Sequence, residues 1–417
     1  MTNIDKVLIL TSEFLPLWGG IGSYVVGLTK NLPSDLEILI VTPFRKKFGK
    51  EGPIFSSSDY RPRGDYNYFR ENVRVKYIST ASDTFFYNFK FQLNVWRVFY
   101  EIVKKEKPDI IHTQSTMPDL FINPHKIKIP IITTIHTTIE WQIKTLKELR
   151  RLESKDLEFS EVMTKLFSPI IVYLENRYYK KRKFFITVSE FGKKLIAKEK
   201  NIPLENIRVI YNGVDPEEFT PQNRKKAKEI YSEIAEKDEL KILYLSRFVA
   251  RKGFQILLKA IPKILEKIDA HFVFAGPGLK PDFKSFGIPE SSYTYLGYIY
   301  PPHYLYSIAD IFVLPSFSEN FPLSVLEAMS SEICTVATRV GGIPEMIEHN
   351  YNGLSIPPGD VDSLTQALIY LAENEEERKK LAKNGRKTVL ERFTLKKCAE
   401  STLKYYEEVV ENESFTH

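Results

Sequence analysis

"KILYLSRFVARKGFQILLKAIPKILEKI", Lys241 to Ile268, is the stretch on which the fold turns. It opens with a short apolar run, crosses a basic loop and closes in a segment whose Phe, Ile and Leu recur at helical spacing. A continuous apolar run reads as a strand covered on both faces; an amphipathic helix after it supplies one of the covers. One βα unit of a parallel sheet is the result. Further runs follow it: "HFVFAG", "YTYLG", "DIFVLPS" and "ICTVAT". A comparable series precedes it: "KVLIL" (Lys6 to Leu10), "LEILIVT" (Leu36 to Thr42), "DIIHT", "PIITTIH" and "FFITVS", with helical stretches between. The cycle restarts at Lys241, after Pro, Asn and Gly break the pattern near Asp215 to Gln222. The expected fold class is therefore α/β, with two doubly wound, Rossmann-like domains facing a cleft. Their expected bounds are 1–218 and 219–395, with a final helix over 396–417.

Bulk properties fit. A chain of 417 residues is comfortable for two domains, and 43% hydrophobic with 27% charged residues is the composition of a soluble globular protein. A net charge of +6 suits anionic ligands; with no recognition motif, no nucleic-acid partner is expected. Cys334 and Cys398 form no motif, which fits a reducing, cytoplasmic setting. The N-terminus lacks the basic start and long apolar core of a signal peptide, and no window approaches the roughly 18 apolar residues of a membrane helix. Any membrane contact is expected to be peripheral. Residues 49–72, polar, aromatic and rich in Arg, Gly and Pro, read as a long loop. The helical region 140–183 ends in "YYKKRKFF". A solvated helix end is the simpler reading of its charge run, and a surface for acidic lipid heads is the alternative.

In open parallel sheets, ligands sit beyond the carboxyl ends of the strands, and the unusual residues fall in those loops. "PLWGGIGSYV" (Pro16 to Val25) puts Gly19 and Gly20 where a helix begins; bare backbone there favours a phosphate or a sugar hydroxyl, and a plain tight turn reads as well. "SRFVARKG" (Ser246 to Gly253) carries Arg247, Arg251 and Lys252 before the next helix, a clamp suited to a diphosphate. In "SFSENFPLSVLEAM" (Ser316 to Met329), Glu319 sits in the loop after a strand, Pro322 in the first turn of a helix and Glu327 further along it. Two carboxylates so placed can accept hydrogen bonds from sugar hydroxyls; a capping acid with a surface Glu is the plainer alternative.

The pair E-x7-E in "LPSFSENFPLSVLEAM" resembles the signature of retaining glycosyltransferases of the GT-B fold, in particular family 4. "TTIHTT", "ITVSEFGKKLI", "VIYNGVD", "FAGPG", "LGYI", "ATRVGGIPEMI" and "NGLSIPPGD" agree in order, so the resemblance covers nearly the whole chain. It implies a hexosyltransferase that uses a nucleotide-diphosphate sugar, with UDP or GDP as carrier, and needs no cofactor or metal. The acceptor would be a sugar, a lipid-linked sugar or a small molecule. Residues 1–218 would be the acceptor side, 219–395 the donor side, and the last helix would cross back to the first domain. The resemblance gives Arg247 and Lys252 the diphosphate, Glu319 the donor sugar and Glu327 the ribose. It sets the backbone of Phe321, Leu323 and Ser324 against sugar and phosphate, Tyr298 near the base, Gly19 and Gly20 near donor phosphate and acceptor, and His136 at the reaction centre. Many members carry Gly where this chain has Asn320 and Pro322, which puts the number of amide contacts to the donor in question.

Overall fold

A computed structural model describes residues 4–14, 19–45, 65–67, 71–81, 85–151 and 166–414. Its apolar runs lie in two sheets. The first holds β1 (Lys6–Leu10), β2 (Glu37–Arg45), β3 (Asp65–Asn67), β4 (Val73–Ala81), β5 (Ile110–Gln114), β6 (Ile131–Ile135), β7 (Phe184–Thr187) and β8 (Ile207–Val209), in the order β3-β4-β2-β1-β5-β6-β7-β8. Every pairing is parallel except β3 with β4. The second holds β9 (Leu240–Leu245), β10 (Ala270–Ala275), β11 (Tyr293–Gly297), β12 (Ile311–Leu314), β13 (Cys334–Thr338) and β14 (Leu354–Ile356), all parallel, in the order β11-β10-β9-β12-β13-β14. Both are doubly wound, with the strand order reversing beside β1 and beside β9.

The chain divides into two units. One comprises Met1–Ile143, Phe159–Asn212 and Leu395–His417; the other comprises Lys144–Glu158 and Gly213–Thr394. The segment 144–158, expected within 1–218, thus counts with the second unit, where Leu146 and Leu149 pack against Ala250 and Phe317.

In the first unit, alternate residues of each strand serve opposite faces. Val7, Ile9, Ile38, Ile40 and Ile132 lie under helices Gly20–Asn31 and Leu395–Ser414, the latter contributing Cys398, Ala399, Tyr406 and Val409 to the core. Leu8, Leu10, Leu39, Val41 and Ile111 lie under helix Phe85–Glu106 through Phe91, Val95 and Phe99. Further along that second face, Ile135 and Phe185 pack with Tyr178 and Tyr179 of helix Ser168–Tyr179. In the second unit, helix Phe254–Leu265 buries Ile256, Leu257, Ile261 and Ile264 against Ile242, Tyr244, Phe272 and Phe274. Cys334 and Cys398 are free and buried.

Two features depart from the sequence pattern. β3 forms at 65–67, inside the expected loop 49–72, most of which lies outside the described residues. β4 is a strand where none is expected: Val73 and Val75 are buried while Arg74 and Lys76 are half-buried, so "VRVKYISTA" alternates instead of running apolar. The charge run after Tyr179 is not uniform either. Lys180 and Lys181 are exposed, but the Arg182 side chain is only 2% exposed and meets Asp119, 0% exposed, at 2.5 Å. Tyr178 donates to the other Asp119 oxygen at 2.9 Å. Removing one partner of a buried ion pair strands the other charge. Arg182→Ala is therefore expected to lower stability by about 3–5 kcal/mol in equilibrium urea unfolding, whereas Lys181→Ala leaves it nearly unchanged.

Candidate functional site

In the second unit the site is built on loops that leave β9, β12 and their neighbours at the carboxyl ends. Arg247 follows β9 directly, and Arg251 and Lys252 stand in the short 3-10 turn Ala250–Lys252. Gly253 ends that turn with φ +71°, and a Cβ there would lie 1.8 Å from the Pro315 carbonyl oxygen. Gly276, φ +136°, has the same relation to the Ser246 carbonyl at 1.9 Å. No other residue type allows these approaches; the first brings the β9 and β12 loops into contact and the second the β9 and β10 loops. The Phe317 N–H donates to the Arg251 carbonyl at 2.8 Å.

That contact delivers Glu319 to Lys252. Glu319, 7% exposed, accepts from Lys252 Nζ at 2.5 Å and from Ser316 Oγ at 2.8 Å. The loop is pinned at two further points: Gly342 N–H donates to the Glu319 carbonyl (3.3 Å) and Thr338 Oγ1 to the Ser316 carbonyl (2.5 Å). Burial pushes the Lys252 ammonium down to about 8, with Arg251 and Arg247 adding to the shift against the pull of Glu319. Burial also opposes ionisation of Glu319, but the charges of Lys252 and Arg251 and the bonds from Lys252 and Ser316 outweigh it, so its carboxyl lies below the usual range. Both groups are charged at neutral pH. Among the described residues Arg247 makes no salt bridge.

Helix Leu323–Ser330 begins one residue later than expected: Pro322 is its N-cap, in extended conformation, not part of its first turn. The proline therefore costs the cap N–H only, and the N–H groups of Leu323, Ser324 and Val325 remain at the helix mouth. The Phe321 side chain turns away, buried edge-on to Phe393 at 5.3 Å. Glu327 is half-buried and accepts from Tyr306 Oη at 2.7 Å. Burial raises its carboxyl to about 7, with Glu218 adding and the Tyr306 bond opposing. Tyr298 follows Gly297 and is half-buried; burial, with Tyr300 behind it, pushes its phenol up to about 12.

The remaining predicted residues belong to the first unit. Gly19 caps and Gly20 opens helix Gly20–Asn31, and the Gly19 N–H donates to Glu13 Oε2 at 3.0 Å. The same helix carries Tyr24, edge-on to His136 with ring centroids 5.0 Å apart. His136 Nε2 bonds Gln114 Oε1 at 3.1 Å, and Gln114 Nε2 in turn lies 3.1 Å from Nε2 of buried His112. His112 is held by Thr134 Oγ1 (2.6 Å) and Tyr406 Oη (2.5 Å). Burial lowers His136 to about 4, and burial with the neighbouring His136 lowers His112 to about 3, so both rings are neutral at pH 7. Glu13, Gln114, Ser316 and Tyr306 were not singled out from sequence. Only Ser316, three residues before Glu319, carried a local signal.

The Glu327 carboxyl gives a measurable handle. Its folded-state value, about 7, lies above the ordinary 4.5, so its contribution to stability falls as pH rises between them. Side-chain carboxyl NMR is expected to show a midpoint near 7, and Tyr306→Phe, which removes an opposing hydrogen bond, to move it higher.

Comparison with known proteins agrees with this geometry. Residues 18–218 match the model of Glycosyltransferase Family 4, and residues 225–388 that of Glycosyl transferases group 1. An uncharacterised glycosyltransferase of Methanocaldococcus jannaschii is 28% identical over 74% of this chain and 78% of its own. The N-acetyl-alpha-D-glucosaminyl L-malate synthase of Bacillus anthracis is 26% identical over 75% and 78%. The structure of Anabaena HepE in complex with UDP-glucose superposes with a TM-score of 0.71 at 18% identity, covering 97% of this chain and 99% of that one. With both halves matched and the double Rossmann-like architecture in common, this chain belongs to the group 1, family 4 glycosyltransferases of the GT-B fold.

Proposed function

We propose that the protein is a retaining, metal-independent hexosyltransferase that moves a hexosyl group from a nucleoside-diphosphate sugar, carried on UDP or GDP, to an acceptor hydroxyl. The observation that carries this reading is the junction of the β9 and β12 loops. There Lys252 pairs with buried Glu319, and Arg251 and Arg247 stand close enough to act on Lys252. Positive charge gathered at the mouth of a helix suits an esterified diphosphate, which brings two negative charges of its own. The complex of HepE with UDP-glucose, on the same fold, supports a nucleotide-sugar donor.

In this reading Arg247 and Lys252 hold the diphosphate and stabilise charge on it as it leaves, aided by the N–H groups at Leu323 and Ser324. Side chains thereby supply the charge that a metal would supply elsewhere. Glu327 accepts from the ribose hydroxyls and Tyr298 lies toward the base. Glu319 positions the donor sugar and keeps the Lys252 ammonium in place. The anomeric carbon loses its bond to the diphosphate oxygen and gains one to the acceptor oxygen on the same face. The acceptor proton passes to a leaving-phosphate oxygen. On the acceptor side, neutral His136 and the Gly19 turn receive hydroxyls.

Two outcomes are expected. Glu319→Ala loses most turnover while Glu319→Gln keeps part of it, measured as nucleoside-diphosphate release; near-normal transfer by Glu319→Ala would remove the site. Arg247→Ala weakens nucleoside-diphosphate binding about 10- to 100-fold by calorimetry, the range of one to two charge-assisted hydrogen bonds. The decisive assay follows anomeric proton signals with a panel of UDP-, GDP- and ADP-sugars, with and without acceptors. An α-linked product from an α-donor supports the proposal. A new nucleotide sugar formed without acceptor would indicate an epimerase.

A further inference from the structure

The second unit holds another gathering of cations, at the opposite end of its sheet from the site above. A cavity with about 300 Å³ of empty space, part of it open to solvent, is lined by Arg224, Lys228, Ala235, Lys241 and Ile308. Lys241 is the second residue of β9, whose carboxyl end leads to Arg247, and Ile308 stands before β12. A strand of six residues spans about 20 Å, so the length of β9 keeps the two gatherings apart.

Helix Arg224–Ile230 supplies two of these cations, and its sequence runs against what folding alone prefers. Arg224, Lys225 and Lys226 open it with no acid in the first turn, where the helix dipole disfavours positive charge. Arg224 and Lys228, four residues apart, repel each other on one helix face. Among the described residues, Arg224, Lys228 and Lys241 form no salt bridge. Lys241 Nζ donates to the Lys237 carbonyl, and the Lys241 N–H donates to the Asp310 carboxylate at 2.8 Å. Glu239 senses the charge of Lys241 without pairing with it. Glu229, the acid of the helix, is exposed and lies outside the lining.

We propose that this cavity binds the phosphate group of a small anion: inorganic phosphate, pyrophosphate or a phosphomonoester. A planar guanidinium and two ammonium groups around one concave surface match the several oxygens and double charge of a phosphate. Such an anion relieves the repulsion among the three cations, the term that folding leaves unbalanced. An acidic protein segment fits worse, because carboxylates spaced along a chain cannot all reach one concave point. The inference does not depend on the proposed chemistry, because none of these residues belongs to the donor or acceptor groups.

The test is methyl NMR of the full chain labelled at isoleucine, with the Ile308 signal assigned by its loss in Ile308→Val. Expected is a saturable shift of that signal on titration with inorganic phosphate and with pyrophosphate, absent with chloride and weakened by salt. Arg224→Gln with Lys228→Gln, both exposed, is expected to weaken the affinity about tenfold, the share of one charge-assisted hydrogen bond. Lys241→Gln is expected to act in the same direction. Replacing exposed Lys259 and Lys267 of the second unit with Gln, the same loss of net charge, leaves the titration unchanged. So does Arg247→Ala, which separates this cavity from the proposed donor site. Glucose 6-phosphate, run beside inorganic phosphate, tells an organic phosphate from the free ion by which binds tighter, and either order supports the proposal. Unchanged far-UV spectra and thermal midpoints establish that the variants fold. Absence of an Ile308 shift at millimolar phosphate and pyrophosphate, or equal loss in the Lys259 and Lys267 variant, overturns the proposal. So does a shift produced by a glutamate-rich peptide and by neither phosphate.

Discussion

A parallel strand cannot turn straight back into its neighbour; the chain must cross the sheet through a helix before the next strand begins. Everything that concentrates chemistry here follows from that constraint. Crossovers in the second sheet set β10 and β11 on one side of β9, and the crossover after β11 returns to set β12 on the other, so the loops part beside β9. Gly253 and Gly276 then let neighbouring loops approach to distances that a Cβ would forbid. The result is a lysine from one loop against a glutamate from the next, 67 residues away in sequence.

A second buried ion pair in the molecule is built differently. Asp119 and Arg182 also form a buried ion pair, and there the charges balance one to one and Tyr178 satisfies the second carboxylate oxygen. Burying such a pair is near neutral for stability, and it locks a loop in place. Glu319 faces a crowd of cations instead, and burial and the two arginines press on Lys252 until its ammonium titrates at about 8. Folding alone gives no reason to gather surplus like charge beside a helix mouth. Under the proposed reading an incoming diphosphate relieves it, a role that the balanced Asp119–Arg182 pair has no charge to play.

Much of this was legible in the sequence because buried parallel strands write themselves as unbroken apolar runs, and because loops after strands are where a parallel sheet keeps its ligands. Arg247, Lys252, Glu319 and Glu327 were singled out that way, and the structure joins Lys252 to Glu319. β4 was missed because its Arg74 and Lys76 point to a half-covered surface and break the run. Gln114, Tyr306 and Glu13 were missed for a different reason. Each acts through a partner far away in sequence or across a turn, and no local pattern marks a side chain whose role is to hold another. The run Lys180 to Lys183 misled in the opposite sense: four neighbouring cations look alike in sequence, yet the turn after the helix sends Arg182 inward and leaves Lys180 and Lys181 outside.

The two units differ most in their electrostatics, and that difference argues for a division of labour. The junction of the β9 and β12 loops in the second unit gathers Arg247, Arg251 and Lys252. In the first unit the predicted residues carry no positive charge at neutral pH, because burial keeps His136 and His112 neutral. The Gly19 turn, whose bare amide suggested phosphate, already presents its N–H to the Glu13 carboxylate. A phosphate there would meet a like charge, whereas a hydroxyl can donate to the carboxylate and accept from the amide. With Gln114 Oε1 accepting from it, His136 Nε2 carries the ring proton. The neutral ring is fixed through Gln114 and His112 to Tyr406 on the last helix, which under the proposed reading suits orienting an acceptor hydroxyl rather than removing its proton.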